Sequence, residues 1–434
     1  MVTIFFLVWT LGSILLTLNV LKPIADRKRS SFPTILLSYI TGWLIGDLLP
    51  QWILLNLGIL LLFSFSDIFS HPIGFGGLIL HITGWCILII RLYIIFNSPY
   101  RLDKKMEQQL GNSWNNAVSN FHPPESIKGI NWYCWFNPNI VFDDPRIEII
   151  YDEEFHQEND LKLKLDIYRP RSLKKNLPGI LQIHGGGWIS GSKRQAAFMM
   201  SHMAAQGWVC FSVTHRLSPE IVFPEHLIDV KRALHWIKKN ACEYGVDPNF
   251  VVATGGSAGG HLASLMALTQ NRSEFQPGFE KANTCIKGCV SLYGVYEFSE
   301  AFNDETLYPA KAELLKIVCG GTPDTKPESY KKITPSNWIS NDTPPFLLIQ
   351  GDTDALISVN ETKKFFYDLQ GQNIQNCAIL KLPLVEHAFD IFPTLTAQCI
   401  VPTIERYLVM LHENYTNSKG KDENGRKTNY RYSS

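Results

Sequence analysis

The first 96 residues contain three long apolar runs that carry almost no charge. The first run, Val2–Leu21, has no charged residue, and about 20 residues of α-helix rise roughly 30 Å, the hydrocarbon thickness of a bilayer. The second run, 34–69, is interrupted by Asp47 and Pro50, so it predicts either one long kinked helix or two short helices meeting at a turn. The third run covers 73–96. Because each run lacks a polar face, the pattern favours membrane spans over helices of a soluble bundle.

Basic residues beside these runs predict how the chain crosses the membrane. A cleaved signal peptide would need basic residues before a shorter apolar core, whereas here they follow the first run. Arg91 lies near the C-terminal end of the third run, where its side chain can reach the membrane interface. The basic flanks are Lys22, Arg27, Lys28 and Arg29 after the first run, and Arg101, Lys104 and Lys105 after the third. Since positive charge favours the cytoplasmic side, we predict three spans and a cytoplasmic C-terminal domain.

From Arg146 onward the pattern changes to short β-type runs that alternate with helical ones. The segments "RIEIIYD" and "LKLKLDIYRP" alternate apolar and polar residues and predict an antiparallel pair. Later strand-like runs, such as "GILQIHGGGW" and "PFLLIQGDTD", are separated by segments of helical spacing such as "LIDVKRALHWIKKNACEYG". Strands that alternate with helices predict an α/β fold with a mostly parallel sheet and helices on both faces.

These patterns divide the chain into four parts. We predict a transmembrane region over 1–96, a linker or cap segment over 97–145, an α/β catalytic domain over 146–411 and a disordered polar tail over 412–434. Within the catalytic domain, about 294–343 contains no clear strand and is expected to form a lid-like insertion. The aromatic segment "NWYCWF" at 131–136 predicts either a wall of the substrate site or a core patch that joins the linker to the domain.

Composition and charge narrow the possible functions. Lys+Arg and Asp+Glu both number 40, so the net charge of +0 excludes the basic surface typical of nucleic-acid binding. The nine cysteines are scattered and odd in number, which argues against a disulfide framework and a metal site, so no metal and no cofactor are expected. Cys210 and Cys289 are expected to be buried free thiols. Glycosylation triplets at Asn271, Asn341, Asn360 and Asn414 point weakly to the non-cytoplasmic side.

The segment "TGGSAGGH" surrounds Ser257 with small residues. Gly255 and Gly259 flank the serine in the pattern G-x-S-x-G, directly after a predicted strand and before a predicted helix. A sharp strand-to-helix turn of this kind exposes a nucleophilic serine above the sheet. By itself the motif is equally compatible with a phosphate-binding loop or a plain tight turn.

The upstream segment "HGGGW" favours the interpretation of Ser257 as a nucleophile over a phosphate-binding loop or a plain turn. It begins at His184, ends a predicted strand and places three glycines where backbone N–H groups can face a developing oxyanion. We expect the donors to be Gly185, Gly186 and Ala258, with His184 and Gly187 supporting the loop.

Two downstream residues complete the candidate constellation. Asp354 follows the predicted strand "LLIQG", and His387 follows the next one. The order Ser257, Asp354, His387 is the chain order of the α/β-hydrolase triad, in which His takes the serine proton and Asp orients the imidazole. Asp352 is the alternative acid.

Taken together, "HGGGW", "THRLSPE", "FPEHLIDVKRALHWI", "TGGSAGGH" and "GDTDALI…EHAFD" resemble the hormone-sensitive-lipase-like esterases of the α/β-hydrolase superfamily, and most closely the bacterial membrane-associated carboxylesterases and lipases. The resemblance covers about 147–411 and implies the α/β-hydrolase fold, the triad and the oxyanion hole named above. It also implies that Arg216 and Asp229 form a structural pair.

The sequence departs from this family at two positions. Gly256 stands where many members have an acidic residue directly before the serine, a form nearer to relatives that act on formyl amides or on methyl esters of prenylated cysteine. His215 replaces a more usual Tyr and is expected to be structural.

These observations predict a serine esterase or lipase that acts, through an acyl-enzyme, on apolar ester substrates at a membrane whose lipids surround the N-terminal spans. Amide hydrolysis of the formamidase or arylacetamide-deacetylase kind would use the same triad. A non-catalytic membrane receptor would have no need of all three triad residues. For 1–96 two roles stay open, an anchor alone or a support that helps to build the active site.

Overall fold

The fold is given by a computed structural model that describes residues 2–25, 30–118, 131, 133–134, 144–158, 160–172, 174–298 and 309–422. Its N-terminal helices are α1 (Val2–Leu21), α2 (Phe32–Asp47), α3 (Leu49–Ser64) and α4 (Pro72–Phe96), with a 3₁₀ helix at Asp67–Ser70. Among the described residues, α1 and α4 are each long and apolar enough to cross a membrane, and α2 and α3 form a pair bent by 89°, which could add a third span. The second apolar run is therefore two short helices that meet at Leu48.

The N-terminal helices expose apolar side chains and bury small or polar ones. The buried stripe of α1 comprises Phe6, Thr10, Ser13, Thr17, Asn19 and Val20, and that of α4 comprises Gly74, Gly77, His81, Gly84, Leu88, Arg91 and Ile95. Thr10 Oγ1 lies 3.2 Å from His81 Nε2, and Ser13 Oγ donates to Asn56 Oδ1 at 2.9 Å. Helices that associate in lipid pack through small residues and polar contacts of this kind.

Contacts between these helices define their directions. Phe6, near the start of α1, packs on Phe63 near the end of α3 at 5.0 Å, and a Cβ at Gly77, near the start of α4, would lie 2.3 Å from the Phe6 ring. At the other end, Val20 of α1 shares an apolar cluster with Leu49 of α3 and Leu88 of α4. Thus α1 and α4 run in the same direction and α3 runs opposite to both.

An eight-stranded sheet in the order β1-β2-β4-β3-β5-β6-β7-β8 forms the centre of the C-terminal domain. Its strands are β1 (Ile147–Glu158), β2 (Leu161–Pro170), β3 (Leu177–Ile183), β4 (Val209–Val213), β5 (Val246–Gly256), β6 (Cys289–Leu292), β7 (Phe346–Gly351) and β8 (Ala378–Leu382). The pairs β1–β2 and β2–β4 are antiparallel, and the other pairs are parallel. The predicted antiparallel pair and mostly parallel sheet are confirmed.

Helices cover both faces of this sheet. They are α5 (Ser98–Leu110), α6 (Asn112–Val118), α7 (Ala197–Ala205), α8 (Glu225–Lys239), α9 (Ala241–Tyr244), α10 (Ala258–Leu268), α11 (Pro309–Cys319), α12 (Pro327–Ile333), α13 (Val359–Gly371) and α14 (Leu395–Asp422), with 3₁₀ helices at Ser273–Phe275 and Pro335–Trp338. Alternate residues of each strand face opposite cores: Ala253 packs in the core under α8 and α10, while Val252 packs in the core under α7 and α14. The buried thiols predicted at Cys210 and Cys289 are confirmed.

The C-terminal end differs from its prediction. A disordered tail from 412 is wrong for 412–422, because α14 continues to Asp422. Tyr415 packs on Phe250 with ring centroids 5.0 Å apart and donates to Asp247 Oδ2 at 3.1 Å, so contacts with the domain extend beyond Leu411. Residues 423–434 lie outside the described residues.

Two other predicted segments are only partly described. The insertion at 294–343 contains α11, α12 and a 3₁₀ helix, and its residues 299–308 lie outside the described part of the chain. In the aromatic segment 131–136, Cys134 is buried, while residues 132, 135 and 136 lie outside the described residues. The lid role and the aromatic-wall role of these segments therefore stay predictions.

Candidate active site

Ser257 lies in a strained turn between β5 and α10. Its φ of 57° and ψ of −123° place it in a region that L-residues rarely adopt, and its N–H donates to Leu292 O at 2.9 Å. A Cβ added at Gly255 or Gly259 would lie 2.5 Å or 2.1 Å from Ile183 O of β3, so the turn can approach this strand only with glycine at both positions. The side chain of Ser257 is partly exposed at the carboxyl end of the sheet. The strand, turn and helix around it are those that the G-x-S-x-G motif predicts.

Asp354 and His387 are hydrogen-bonded to each other. Asp354 Oδ2 lies 2.7 Å from His387 Nδ1 and also accepts a hydrogen bond from Gln350 Nε2 at 2.6 Å. The other carboxylate oxygen, Oδ1, accepts from the backbone N–H groups of Leu356 and Ile357 at 2.8 and 2.7 Å. With every oxygen occupied and the side chain fully buried, Asp354 has one orientation, and it fixes the orientation of the imidazole.

The alternative acid, Asp352, has other partners. Its Oδ1 accepts from the Leu384 N–H at 2.7 Å, and its Oδ2 lies 3.3 Å from Lys381 Nζ at the edge of the sheet. Between the two candidate acids, the structure therefore brings Asp354 to His387.

Glu386 joins the acid loop to the histidine loop. Its Oε1 accepts from the Ala355 N–H at 2.6 Å and from the His387 N–H at 2.8 Å. The side chain is buried. Sequence reasoning passed over this residue, and its position directly before His387 was the only signal that could have indicated it.

Tyr293 links the serine turn to the histidine. A Cβ at Gly256 would lie 2.3 Å from Tyr293 Oη, and the rings of Tyr293 and His387 are 4.4 Å apart. The Tyr293 hydroxyl donates to the buried carboxyl of Asp390, whose pKa is raised by burial. The tyrosine thus fills the space that a larger residue before Ser257 would need, which gives a physical reason for the glycine at 256.

The loop after β3 approaches the serine turn closely. Gly186, Gly187 and Trp188 have consecutive positive φ values of 115°, 63° and 61°. Within the described part of the chain, the N–H groups of Gly186, Gly187 and Ala258 have no hydrogen-bond partner, and Ala258 begins α10 at its positive end.

Gly185 differs from its expected role. Its N–H donates to Gln195 Oε1 at 3.0 Å, so this donor is already occupied. A Cβ at Gly185 would lie 2.6 Å from Gly256 O, which shows that it contacts the serine turn through its backbone. The expectation that Gly185 supplies an oxyanion donor is therefore wrong. Gly185 packs against the serine turn, and the unpaired N–H groups are those of Gly186 and Gly187.

Buried histidines support this loop. His184 Nδ1 lies 2.8 Å from Gly185 O, and its ring stacks on His215 with centroids 4.2 Å apart. Burial and the neighbouring His215 lower the pKa of His184 to about 3, and burial lowers the pKa of His215 to about 4. Both rings are therefore neutral at pH 7 and act as packing groups beside the site.

The structural pair implied by the family resemblance is present. Arg216 Nε and Nη2 donate to the two carboxylate oxygens of Asp229 at 2.9 and 2.7 Å, a bidentate contact, and Nη2 also donates to Glu225. This pair ties the loop after β4 to α8 and stands apart from the serine.

The N-terminal helices also reach this site. Tyr39 of α2 meets the His387 ring edge-on at 5.9 Å, and Trp43 Nε1 donates to Ala388 O at 3.1 Å. The sequence contained no signal for this contact, because the two segments are far apart in the chain. Among the described residues, no group of three or more His, Cys, Asp or Glu could hold a metal ion.

The sheet order and its helices form the α/β-hydrolase fold, and Ser257, Asp354 and His387 follow one another in the chain order typical of that fold. Comparison with known proteins agrees. The family model BD-FAE matches residues 165–369. The predicted resemblance to α/β-hydrolase esterases is thus confirmed for this domain.

Two curated relatives come from Mycobacterium tuberculosis. The probable carboxylic ester hydrolase LipM is 40% identical over 252 residues, which are 57% of this chain and 58% of LipM. Esterase LipQ is 34% identical over 252 residues, 57% of this chain and 59% of LipQ. The chain therefore spans less than two thirds of either relative.

A solved structure supports the fold. The butyrate-bound esterase Est2 of Thermogutta terrifontis superposes with a TM-score of 0.51 at 23% identity, covering 64% of this chain and 95% of Est2.

Proposed function

We propose that this protein is a serine carboxylic ester hydrolase with Ser257 as nucleophile, His387 as base and Asp354 as the acid that orients the base. The observation that carries the proposal is the 2.7 Å contact of His387 Nδ1 with a fully buried Asp354, beside a serine in a strained turn. The names of LipM and LipQ support an ester as substrate.

The reaction follows from this arrangement. His387 Nδ1–H donates a hydrogen bond to Asp354 Oδ2, and this holds the imidazole in the tautomer whose other nitrogen, Nε2, carries no proton. Nε2 accepts the hydroxyl proton while Ser257 Oγ attacks the ester carbonyl and forms a tetrahedral adduct. The imidazolium then gives this proton to the departing alcohol, leaving an acyl-serine. Water, deprotonated by the same nitrogen, attacks the acyl-serine, releases the carboxylic acid and restores the serine hydroxyl.

The negative charge of each tetrahedral adduct needs hydrogen-bond donors. The unpaired N–H groups of Gly186, Gly187 and Ala258 are suited to this role, because they lie on the loop that contacts the serine turn and at the start of α10. Donors of this kind are already oriented before reaction, and the loss of one typically costs about 3–4 kcal/mol of barrier.

The N-terminal helices support a membrane location for the enzyme. Large apolar side chains on α1, α3 and α4 are exposed, among them Phe5 at 65%, Leu62 at 71% and Ile90 at 58%. A continuous apolar surface of this kind around buried polar contacts is stable only in lipid. We therefore propose an integral membrane protein in which α1, α3 and α4 cross the bilayer and α2 lies across the end of α1.

The same packing supports a cytoplasmic catalytic domain. Val20, near the end of α1, shares an apolar cluster with Leu88 of α4, so the C-terminal parts of both helices lie on the same side of the helix group. Helix α5 continues from α4 onto the catalytic domain, where Gln109 exchanges hydrogen bonds with the Ile379 backbone. Lys22 after α1 and the basic residues of α5, Arg101, Lys104 and Lys105, therefore lie on the side of the catalytic domain, which supports the cytoplasmic side by the positive-inside rule. Green fluorescent protein fused after Ser434 should fluoresce in a bacterial host; a dark, exported fusion would contradict this orientation.

Activity is tested with the full-length protein in detergent. A series of p-nitrophenyl esters of increasing acyl length, with matched anilides, should show ester turnover that rises with apolar chain length and little anilide turnover. Ser257→Ala should lower kcat by about six orders of magnitude. The matched control is Ser264→Ala, because Ser264 Oγ is buried and donates to Gly260 O within α10. Equal loss in both variants, or retained turnover in Ser257→Ala, would contradict the assignment, and faster anilide cleavage would favour an amidase.

A further inference from the structure

The segment that carries His387 is held from the side by the N-terminal helices. This segment, residues 383–396, runs from the end of β8 into the first turn of α14 and contains no strand. Leu384 and Ala388 both have positive φ, 57° and 63°, so its backbone adopts conformations that L-residues disfavour. Contacts from outside the segment must offset that cost.

Part of this support comes from α2. Trp43 Nε1 donates to Ala388 O at 3.1 Å, and the Trp43 ring stacks on Phe392 at 5.3 Å with 23° between the planes. Tyr39, one turn earlier on α2, meets the His387 ring edge-on. Tyr39 thus contacts the imidazole itself, while Trp43 contacts the residues that follow it.

A buried ion pair supplies the remaining support for the 383–396 segment. Arg91 of α4 and Asp47 at the end of α2 lie 3.3 Å apart, and each side chain is only 2% exposed. Arg91 also donates through Nε to Leu384 O at 2.9 Å and through Nη1 to Gly46 O. Asp47 Oδ1 accepts from Thr396 Oγ1 at 2.8 Å. The pair therefore binds both ends of the 383–396 segment.

An ion pair that served only to join two membrane helices would have no need of these contacts. Burying two charges is expensive and is often no better than a well-packed apolar pair, so a retained buried pair calls for a specific role. Here each partner also hydrogen-bonds the catalytic domain, Arg91 through Leu384 O and Asp47 through Thr396, in addition to the bond of Arg91 to Gly46 O within the helices.

We propose that Asp47 and Arg91 are positioning residues, which hold the 383–396 segment so that the His387 imidazole stays on Asp354 and faces Ser257. The inference rests on the proposed esterase function. It makes the N-terminal helices a structural part of the active site and not an anchor alone. A displacement of about 1 Å in a catalytic group can cost about a hundredfold in rate, so the contacts matter although neither residue touches substrate.

The test replaces both charges together in the full chain. Asp47→Leu combined with Arg91→Leu removes both charges of the pair, so that neither is left buried without the other while the contacts to Leu384 and Thr396 are lost. We expect kcat on a short soluble ester to fall about tenfold to a hundredfold, with KM changed less than about twofold. Backbone amides of 383–396 should exchange hydrogen faster than in the wild type, and the rest of the sheet should exchange at the wild-type rate.

A matched control disturbs the same helices away from the catalytic domain. Ser13→Ala combined with Asn56→Leu removes the polar contact between α1 and α3 and should leave kcat and exchange in 383–396 unchanged. If the Asp47/Arg91 double variant does not fold, Thr396→Val removes one of the contacts from the catalytic side and should lower kcat by roughly fivefold, the value of one hydrogen bond.

The outcomes separate the two proposals. Wild-type kcat and wild-type exchange in the folded double variant, or in Thr396→Val, would overturn the positioning role while leaving the esterase function intact. Absence of ester turnover in the wild type itself would overturn the proposed function. The exchange measurement would still test whether Asp47 and Arg91 hold the 383–396 segment in place.

Discussion

Asp352 and Asp354 lie two residues apart in one turn, but their carboxylates have different surroundings. Asp354 is fully buried, and its carboxylate contacts His387, Gln350 of β7 and the backbone of its own loop. Asp352 accepts a hydrogen bond from the Leu384 N–H and forms an ion pair with Lys381 near solvent. The division of roles depends on where each side chain points after the strand ends.

Substitution of the two aspartates separates these roles. Asp354→Asn should lower kcat by about 10⁴, because the amide disturbs the tautomer of His387. Asp352→Asn keeps an oxygen acceptor for the Leu384 N–H and should lower kcat by less than about threefold. Steady-state kinetics on one soluble ester measures both; the reverse order of effects would move the acid role to Asp352.

Burial of neutral histidines predicts how stability depends on pH. The pKa values of His184 and His226 are lowered by burial to about 3, and that of His215 to about 4. At pH values between these folded-state pKa values and the unfolded-state histidine pKa of about 6.5, the unfolded chain binds more protons than the folded chain. Stability is therefore complete above about pH 6.5 and is lost as the pH falls toward 4.

The variant His215→Asn removes one of these groups. Its Tm should be lower than that of the wild type at pH 7, because a packed ring is lost, but should fall less steeply between pH 6.5 and 4. Differential scanning fluorimetry at several pH values measures the two slopes. Parallel curves would mean that His215 does not contribute to the acid loss.

At the scale of elements, the turn between β5 and α10 depends on close backbone approach. A Cβ at Gly259 would lie 2.1 Å from Ile183 O, a backbone atom of a central strand that cannot move aside. The packing of α10 on β3 and the position of Ser257 therefore both require glycine at position 259.

Gly259→Ala should consequently lower Tm by several degrees and reduce kcat, since α10 must shift away from the sheet. Gly371→Ala is the matched control: it ends α13, and a Cβ there meets nothing within 4 Å. Thermal unfolding and ester kinetics compare the two variants. A wild-type Tm in Gly259→Ala would show that β3 can yield at this point.

At the scale of the whole molecule, the N-terminal helices contact the catalytic domain at 383–396. Trp43, Asp47 and Arg91 all contact this segment. The alternative of an anchor alone, which the sequence left open, does not account for these contacts.

Removal of 1–96 should therefore damage catalysis as well as membrane attachment. A chain starting at Asn97 should lose most of its turnover on soluble esters and self-associate, because the surface of 383–396 loses its cover. Size-exclusion chromatography and kinetics check this. A monodisperse, fully active truncation would restore the anchor-only role.

The sequence by itself determined the fold class, the order of the strands along the chain and the candidate triad. Continuous apolar runs are readable as buried parallel strands, and G-x-S-x-G is readable as a turn, because both depend on local periodicity and local sterics. The same holds for the apolar runs before Asn97, whose length and lack of charge are local properties.

Only the tertiary structure decided which glycine N–H groups are unpaired, what surrounds each aspartate and what Arg91 does. The sequence placed Arg91 at a membrane interface, whereas in the structure it is buried against Asp47 and Leu384. By sequence, Gly185 and Gly186 are equivalent candidates for an oxyanion donor. In the structure, the Gly185 N–H donates to Gln195. Contacts such as that of Tyr39 with His387 join residues hundreds of positions apart, and no local pattern encodes a pairing that arises only when distant elements pack together.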